Sequence, residues 1–192
     1  MKQIKFLALG IIVVGTALLM NSCCKKKPTT TTPPASQILT FNIPFSDTGN
    51  LPAIPALPLE VSQDSFTSFL VPTYADSLFK ANGSSPDKVL SVYAKSIILS
   101  LYKQGQKFDF IKAMKLFAAN KNGSGKVLIG RKDVINITDS VINLDLENID
   151  LKNFIAADTF MMILGATNRA GYGIPAGTAL NFTTQFEAKA NP

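Results

Sequence analysis

The chain has 192 residues, 46% hydrophobic and 17% charged, with a formal net charge of +6, two cysteines and no histidine. That apolar share suffices for a packed core and excludes a disordered polyelectrolyte. Without histidine, Ser-His-Asp and Cys-His catalysis are excluded; two neighbouring cysteines give no disulfide framework and leave a zinc site short of ligands.

In chain order, Lys2 and Lys5 come first, followed by a largely apolar run from Phe6 to Met20. A helix needs about 20 apolar residues to cross a bilayer core, so the run is short for a permanent span and suits a signal peptide. The segment Leu19-Met20-Asn21-Ser22-Cys23 resembles the lipobox of bacterial lipoproteins: apolar residues, a small residue, then the cysteine that becomes acylated. The resemblance covers residues 1–23. It implies a signal peptide over 1–22, a diacylglycerol thioether on Cys23 and an acylated amino terminus. Cys24 is the poorer acceptor, because Cys23 would then stand just before the cut. Each buried CH₂ adds about 0.8 kcal/mol, so several acyl chains give a stable membrane anchor. In similar lipoproteins of the Bacteroidota an acidic cluster after the cysteine marks export to the cell surface. Here Lys25, Lys26 and Lys27 follow instead, and the resemblance implies the bacterial cell envelope, on the outer membrane facing the periplasm.

Residues 23–37 are rich in Thr and Pro and poor in apolar side chains, a composition that stays solvated as a semi-extended tether. At about 3.1 Å per residue its reach is roughly 40 Å. Without the signal peptide and the tether lysines, 14 basic and 13 acidic residues remain. The positive charge therefore belongs to the tail and is no argument for nucleic acid.

Residues 38–192 suit a single domain. Asp47-Thr48-Gly49 has the three-residue core of aspartic proteases but occurs once, and is expected to be a turn. In "LPAIPALPL", Leu51, Ile54 and Leu57 recur every third residue between prolines and alanines. Polyproline II has three residues per turn, so these three side chains share one face. Packed inward, that face makes a strap that covers a sheet edge; turned outward, Leu51, Ile54 and Leu57 are the candidate partner-binding residues.

"PTYADSLFKANG" is expected to be the one short helix, with Pro72 in its first turn, Tyr74 and Leu78 on one face, and Asn82-Gly83 closing it. Ser77 and Lys80 have S-x-x-K spacing, yet neither S-D-N nor K-T-G occurs, so an ordinary amphipathic helix is the stronger reading. "KVLSVYAKSIILSLY" predicts a long, bent strand. "FDFIKAM" is ambiguous between a helical turn and a strand entry. "AMKLFAANKNGSGKVLIG" predicts two strands about a turn at Asn122-Gly123; it lacks the first glycine and the Ser or Thr of a phosphate-binding loop. "DVINITDSVINLDL" and "DTFMMILGAT" predict further strands. In "TALNFTTQFEAKA", Leu180, Phe182, Phe186 and Ala188 alternate with polar residues, the mark of a half-buried antiparallel strand.

From Lys80 to Lys132 there are 11 basic and two acidic residues, and from Asp133 to Asp158 six acidic and one basic. Pairing between these two segments is expected; the alternative is a basic face for lipid or polyanionic glycan. Asp145, Glu147 and Asp150 are the densest carboxylates, but strand alternation separates Asp150 from the other two, so no metal is expected. Asp76-Ser77-Leu78 and Asp139-Ser140-Val141 resemble the O-glycan acceptor motif of Bacteroidota envelope proteins.

Short strands punctuated by turns predict a mainly β fold, an antiparallel β-sandwich with one short helical insertion. No catalytic, cofactor or metal site is expected. The sequence reads as a lipid-anchored, non-catalytic binding or assembly module, with the membrane reached through its anchor and a protein or glycan as partner. The alternatives are a histidine-independent hydrolase using Ser, Lys or carboxylates, and a carrier of apolar ligands.

Overall fold

The computed structural model describes residues 37–192, which belong to one compact unit; Cys23, the signal peptide and the tether through residue 36 lie outside the described residues. The strands in chain order are β1 (Leu39–Asn50), β2 (Ser62–Pro72), β3 (Val89–Leu101), β4 (Ile111–Asn120), β5 (Val127–Lys132), β6 (Val141–Asn143), β7 (Asp145–Leu146), β8 (Thr159–Asn168) and β9 (Ala179–Ala190). They form two sheets, ordered β1-β9-β3-β6 and β2-β8-β4-β5-β7, and every pairing is antiparallel. The fold is a β-sandwich with a short helical insertion, α1 (Ala75–Ala81), and a single helical turn, α2 (Lys152–Ile155).

The alternating segment at the C-terminus occupies the middle of the first sheet, where β9 pairs with both β1 and β3. Its apolar residues Leu180, Phe182, Phe186 and Ala188 are buried, and Thr184 between them is buried too. Phe182 joins the sheets: its ring lies 5.8 Å from Phe45 of the first sheet and 5.4 Å from Phe69 of the second. Opposite it the second sheet contributes Met162, Leu164, Met114, Leu116 and Ile129, all within the same apolar core. The bend expected in β3 is present as two register shifts, at Val89/Ser91 and Ala94/Ser96.

Several expectations need correction. Asp47-Thr48-Gly49 is not a turn but part of β1, paired with Phe182, Asn181 and Leu180. Strands β1 and β2 had no strand expectation; both are edge strands, where Pro44 and Pro72 are tolerated because one side of the backbone has no ladder to donate to. Residues 133–140 are a loop rather than a strand, and only 141–143 and 145–146 pair. The segment "FDFIKAM" resolves as a strand entry, with β4 starting at Ile111.

In the helical insertion, Pro72 ends β2 instead of opening the helix, and Tyr74 is the N-cap in a left-handed conformation with φ 50°. The buried face is set one residue later than expected: Ala75 and Phe79 face the core, while Tyr74 is 73% exposed. Phe79 meets Phe41 edge-on at 5.6 Å, which docks the helix on β1. The C-terminus closes as expected at Asn82-Gly83: Ser84 N–H donates to the Phe79 carbonyl and Gly83 N–H to the Lys80 carbonyl, the paired bonds of a Schellman motif.

The connections sort to two ends of the sandwich. The entry end holds the start of β1, where the chain arrives from Gln37, together with α1, the 121–126 turn and α2. The loop end holds the strap at 51–61 and the loops 102–110, 133–140 and 169–178.

Candidate functional site

The loop end is assembled by backbone bonds between loops distant in sequence. Phe108 and Phe110 are buried with ring centroids 6.2 Å apart, and they pin the 102–110 loop to the core. Phe108 N–H donates to the Asp139 carbonyl at 2.8 Å, and Arg169 N–H to the Phe110 carbonyl at 2.9 Å. The Arg169 side chain ties three carbonyls: Nε donates to Asp109 at 3.0 Å, and Nη2 to Ile135 at 2.7 Å and Ile111 at 3.3 Å. A planar guanidinium has donors fixed in a fork, so it holds the 109–111 and 133–140 segments against its own loop in one arrangement.

The strap braces this assembly. Leu51 is buried and Ile54 and Leu57 are half-buried, while the prolines and alanines between them are exposed, the threefold pattern of a polyproline helix lying on a surface. Rather than covering a sheet edge, the strap crosses from β1 to β2 and pairs with the 171–178 segment. Ile54 and Ile174 exchange both backbone bonds, at 3.1 and 2.8 Å, and Leu51 N–H donates to Thr178 at 2.9 Å. Gly173 permits this approach, since a Cβ there would lie 2.7 Å from the Ile54 carbonyl oxygen. The buried Asn168 finishes the joint: its Oδ1 accepts from Val61 N–H and its Nδ2 donates to the Leu59 carbonyl at 3.3 Å. Replacing Ile54 by Asp is expected to lower stability by about 2–3 kcal/mol, because it sets a charge against this apolar joint. Urea denaturation reads the loss; an unchanged midpoint would mean that the stripe faces solvent.

Beside the strap lies a cleft of about 280 Å³ lined by Leu101, Gly105, Gln106, Lys107, Asp109, Phe110, Pro175 and Thr178. That is close to the roughly 300 Å³ at which small-molecule sites begin. Its lining mixes apolar Leu101, Phe110 and Pro175 with polar Gln106, Lys107, Asp109 and Thr178. The Gln106 Oε1 atom is sealed from solvent without a hydrogen-bond donor. Leaving a buried acceptor unpaired costs about 1–3 kcal/mol. The Thr178 hydroxyl, in the same lining, donates to the Pro175 carbonyl at 2.7 Å. Lys107 is exposed and Asp109 is half-buried; Tyr102, which opens the same loop, is 65% exposed.

Ion pairing departs in part from expectation. Arg131 pairs with Asp133 and Glu147, and Lys132 with Asp145, as the two charge blocks suggest. Lys95, Lys112 and Lys115 go instead to Glu187, Glu60 and Asp64, because β3 borders β9 and the loop start of β4 lies near β2. Lys103 and Lys107 make no ion pair among the described residues.

Other sequence candidates are placed as follows. Ser77 and Lys80 are exposed on α1, and Asp47 is exposed on β1. Asp145 and Glu147 serve ion pairs, while Asp150 accepts from the backbone N–H groups of Val92 and Lys152. Among the described residues no group of three or more His, Cys, Asp and Glu side chains is placed to hold a metal ion. Ser77 and Ser140 of the two O-glycan-like motifs are exposed. Sequence reasoning missed Gln106, Asp109, Asn168 and Arg169. A signal existed for Arg169, the one cation between Lys152 and Lys189.

No protein-family model matches the chain, and no curated protein matches it. Among solved structures, a chain from Desmodium yellow mottle tymovirus is 14% identical, with 88% of this chain and 97% of that one covered and a TM-score of 0.33. A chain from turnip yellow mosaic virus is 13% identical, covering 81% and 96%, also with a TM-score of 0.33. A likeness at that score carries no argument about function.

Proposed function

We propose that this chain is a lipid-anchored cell-envelope protein, held through Cys23 at the outer membrane facing the periplasm, whose sandwich is a non-catalytic binding module. The anchor rests on the lipobox-like residues 19–23 and on the lysines, rather than acids, that follow them. The observation that carries the binding role is the two-ended layout of the domain. The chain enters the described domain beside α1, while the cleft lined by Gln106 and its interlocked loops lie at the opposite end of the sandwich. A protein or glycan of the envelope is the partner this surface would meet.

The carrier alternative fits less well where the strap meets the core. The space bounded by Ile54, Leu57, Phe66, Ile111 and Ile174 is about 10 Å³, room for about one water and not for an acyl chain.

Replacing Cys23 by Ser tests the anchor. In cells fed labelled palmitate, the variant is expected to lose the label and to leave the membrane fraction, while Cys24→Ser keeps both. Label retained by Cys23→Ser and lost by Cys24→Ser would move the lipid to the other cysteine, and label on both variants would remove the anchor from this reading.

A further inference from the structure

We propose that β9 is the closing strand of the fold: until it inserts between β1 and β3 the first sheet does not form, and the chain stays in the unfolded state that an export channel can pass. The export half rests on the signal peptide proposed above; the closing half does not. Sheet topology carries the inference. Among the described residues β1 pairs with β9 alone, along all 12 of its residues from Leu39 to Asn50. On the other side β3 pairs with β9 from Val89 to Leu101, and with β6 only from Ile98 to Ser100. Without β9, therefore, the first sheet keeps only that short β3–β6 ladder. The core depends on the same strand, since Leu180, Phe182, Phe186, Ala188 and Ala190 are buried and the Phe182 ring links the two sheets. Asn191 N–H then latches onto the Lys88 carbonyl at 3.0 Å. Yet β1 is the first strand of the domain and β9 the last: Ser46 and Thr183, opposite each other in their ladder, are 137 residues apart. The entropy of closing so long a loop precedes the contacts that reward it, so this pairing is late and slow. A sandwich of two packed sheets cannot thread a channel that fits an extended chain. A fold withheld until its last strand arrives leaves time for export.

Moving residues 179–192 to a place between residues 36 and 37 tests the proposal on the whole chain. Ala190 then precedes Leu39 through residues 191, 192, 37 and 38 alone, so the ladder between the first and last strands becomes a local hairpin. Refolding from urea in non-denaturing detergent, followed by far-ultraviolet circular dichroism, is expected to be about tenfold or more faster in the permuted chain than in the parent. Equal rates overturn the closing strand. A second variant, the chain ended at Thr178, decides the matter even if the permuted chain does not fold. It should be digested rapidly by protease and melt without cooperativity, and a peptide of residues 179–192 should restore protection in a saturable way. A cooperative, protease-resistant fold without the peptide overturns the proposal. Pulse labelling in cells then reads the export half. The parent should lose its signal peptide promptly, while the permuted chain accumulates as precursor because it folds too soon. Prompt processing of a permuted chain that refolds faster overturns the export half. A parent that is never processed overturns the signal peptide instead, and the refolding rates still decide the closing strand.

Discussion

Replacing Phe182 by Ala is expected to lower stability by about 3–5 kcal/mol, enough to leave a marginal domain largely unfolded near physiological temperature. The ring is 2% exposed and sits on the central strand of the first sheet, stacked on Phe45 and tilted against Phe69 of the other sheet. Truncation removes the transfer free energy of the ring and opens a cavity between sheets whose backbones are fixed by antiparallel ladders on both sides of β9. Phe182→Leu, which refills most of the volume, should cost distinctly less. Urea denaturation followed by far-ultraviolet circular dichroism gives both values; a loss under about 1 kcal/mol for Phe182→Ala would mean that the sheets collapse onto the site and that the ring is not their link.

Arg169→Met is expected to cost about 3 kcal/mol and to loosen the loop end while leaving the sheets intact. Methionine keeps the length and apolar stem but leaves the carbonyls of Asp109, Ile111 and Ile135 without the charged donors that now join three segments. Arg169→Lys should recover little, since one ammonium on a flexible stem cannot reproduce a planar fork. Hydrogen exchange should report the change in residues 103–110 and 133–140, with protection retained in β9 and β3. Full recovery by lysine would show that charge alone, rather than the fork, holds the loops.

These two residues also mark how far the sequence could be read. Phe182 was legible because alternation in 179–190 is a local pattern: one polar face and one apolar face require a half-buried strand, whatever its neighbours. The same logic located β3, the β4–β5 pair about Gly123, β8 and the short helix with its Schellman end. It failed for β1, although Leu39, Phe41, Ile43 and Phe45 alternate with polar residues there, because Pro44 and Asp47-Thr48-Gly49 look like chain breakers. An edge position removes that penalty, and edge or centre is a property of the assembled sheet. It failed in the opposite sense at 133–140, where Val134, Ile135 and Ile137 suggest a strand. Only Ile135 is buried, and its N–H and carbonyl pair with Lys112 and Arg169 rather than with a ladder.

By itself, then, the amino-acid sequence determined the mainly β class, the threefold face of the strap and the lack of histidine chemistry, since each depends on residue type and local period alone. The tertiary structure decided which lysine meets which carboxylate, that Arg169 joins its own loop to the 102–110 and 133–140 loops, and that the Oε1 atom of the half-buried Gln106 is left without a donor. Each of these depends on groups brought together across tens of residues, and no local period encodes what stands opposite a side chain once the chain has folded.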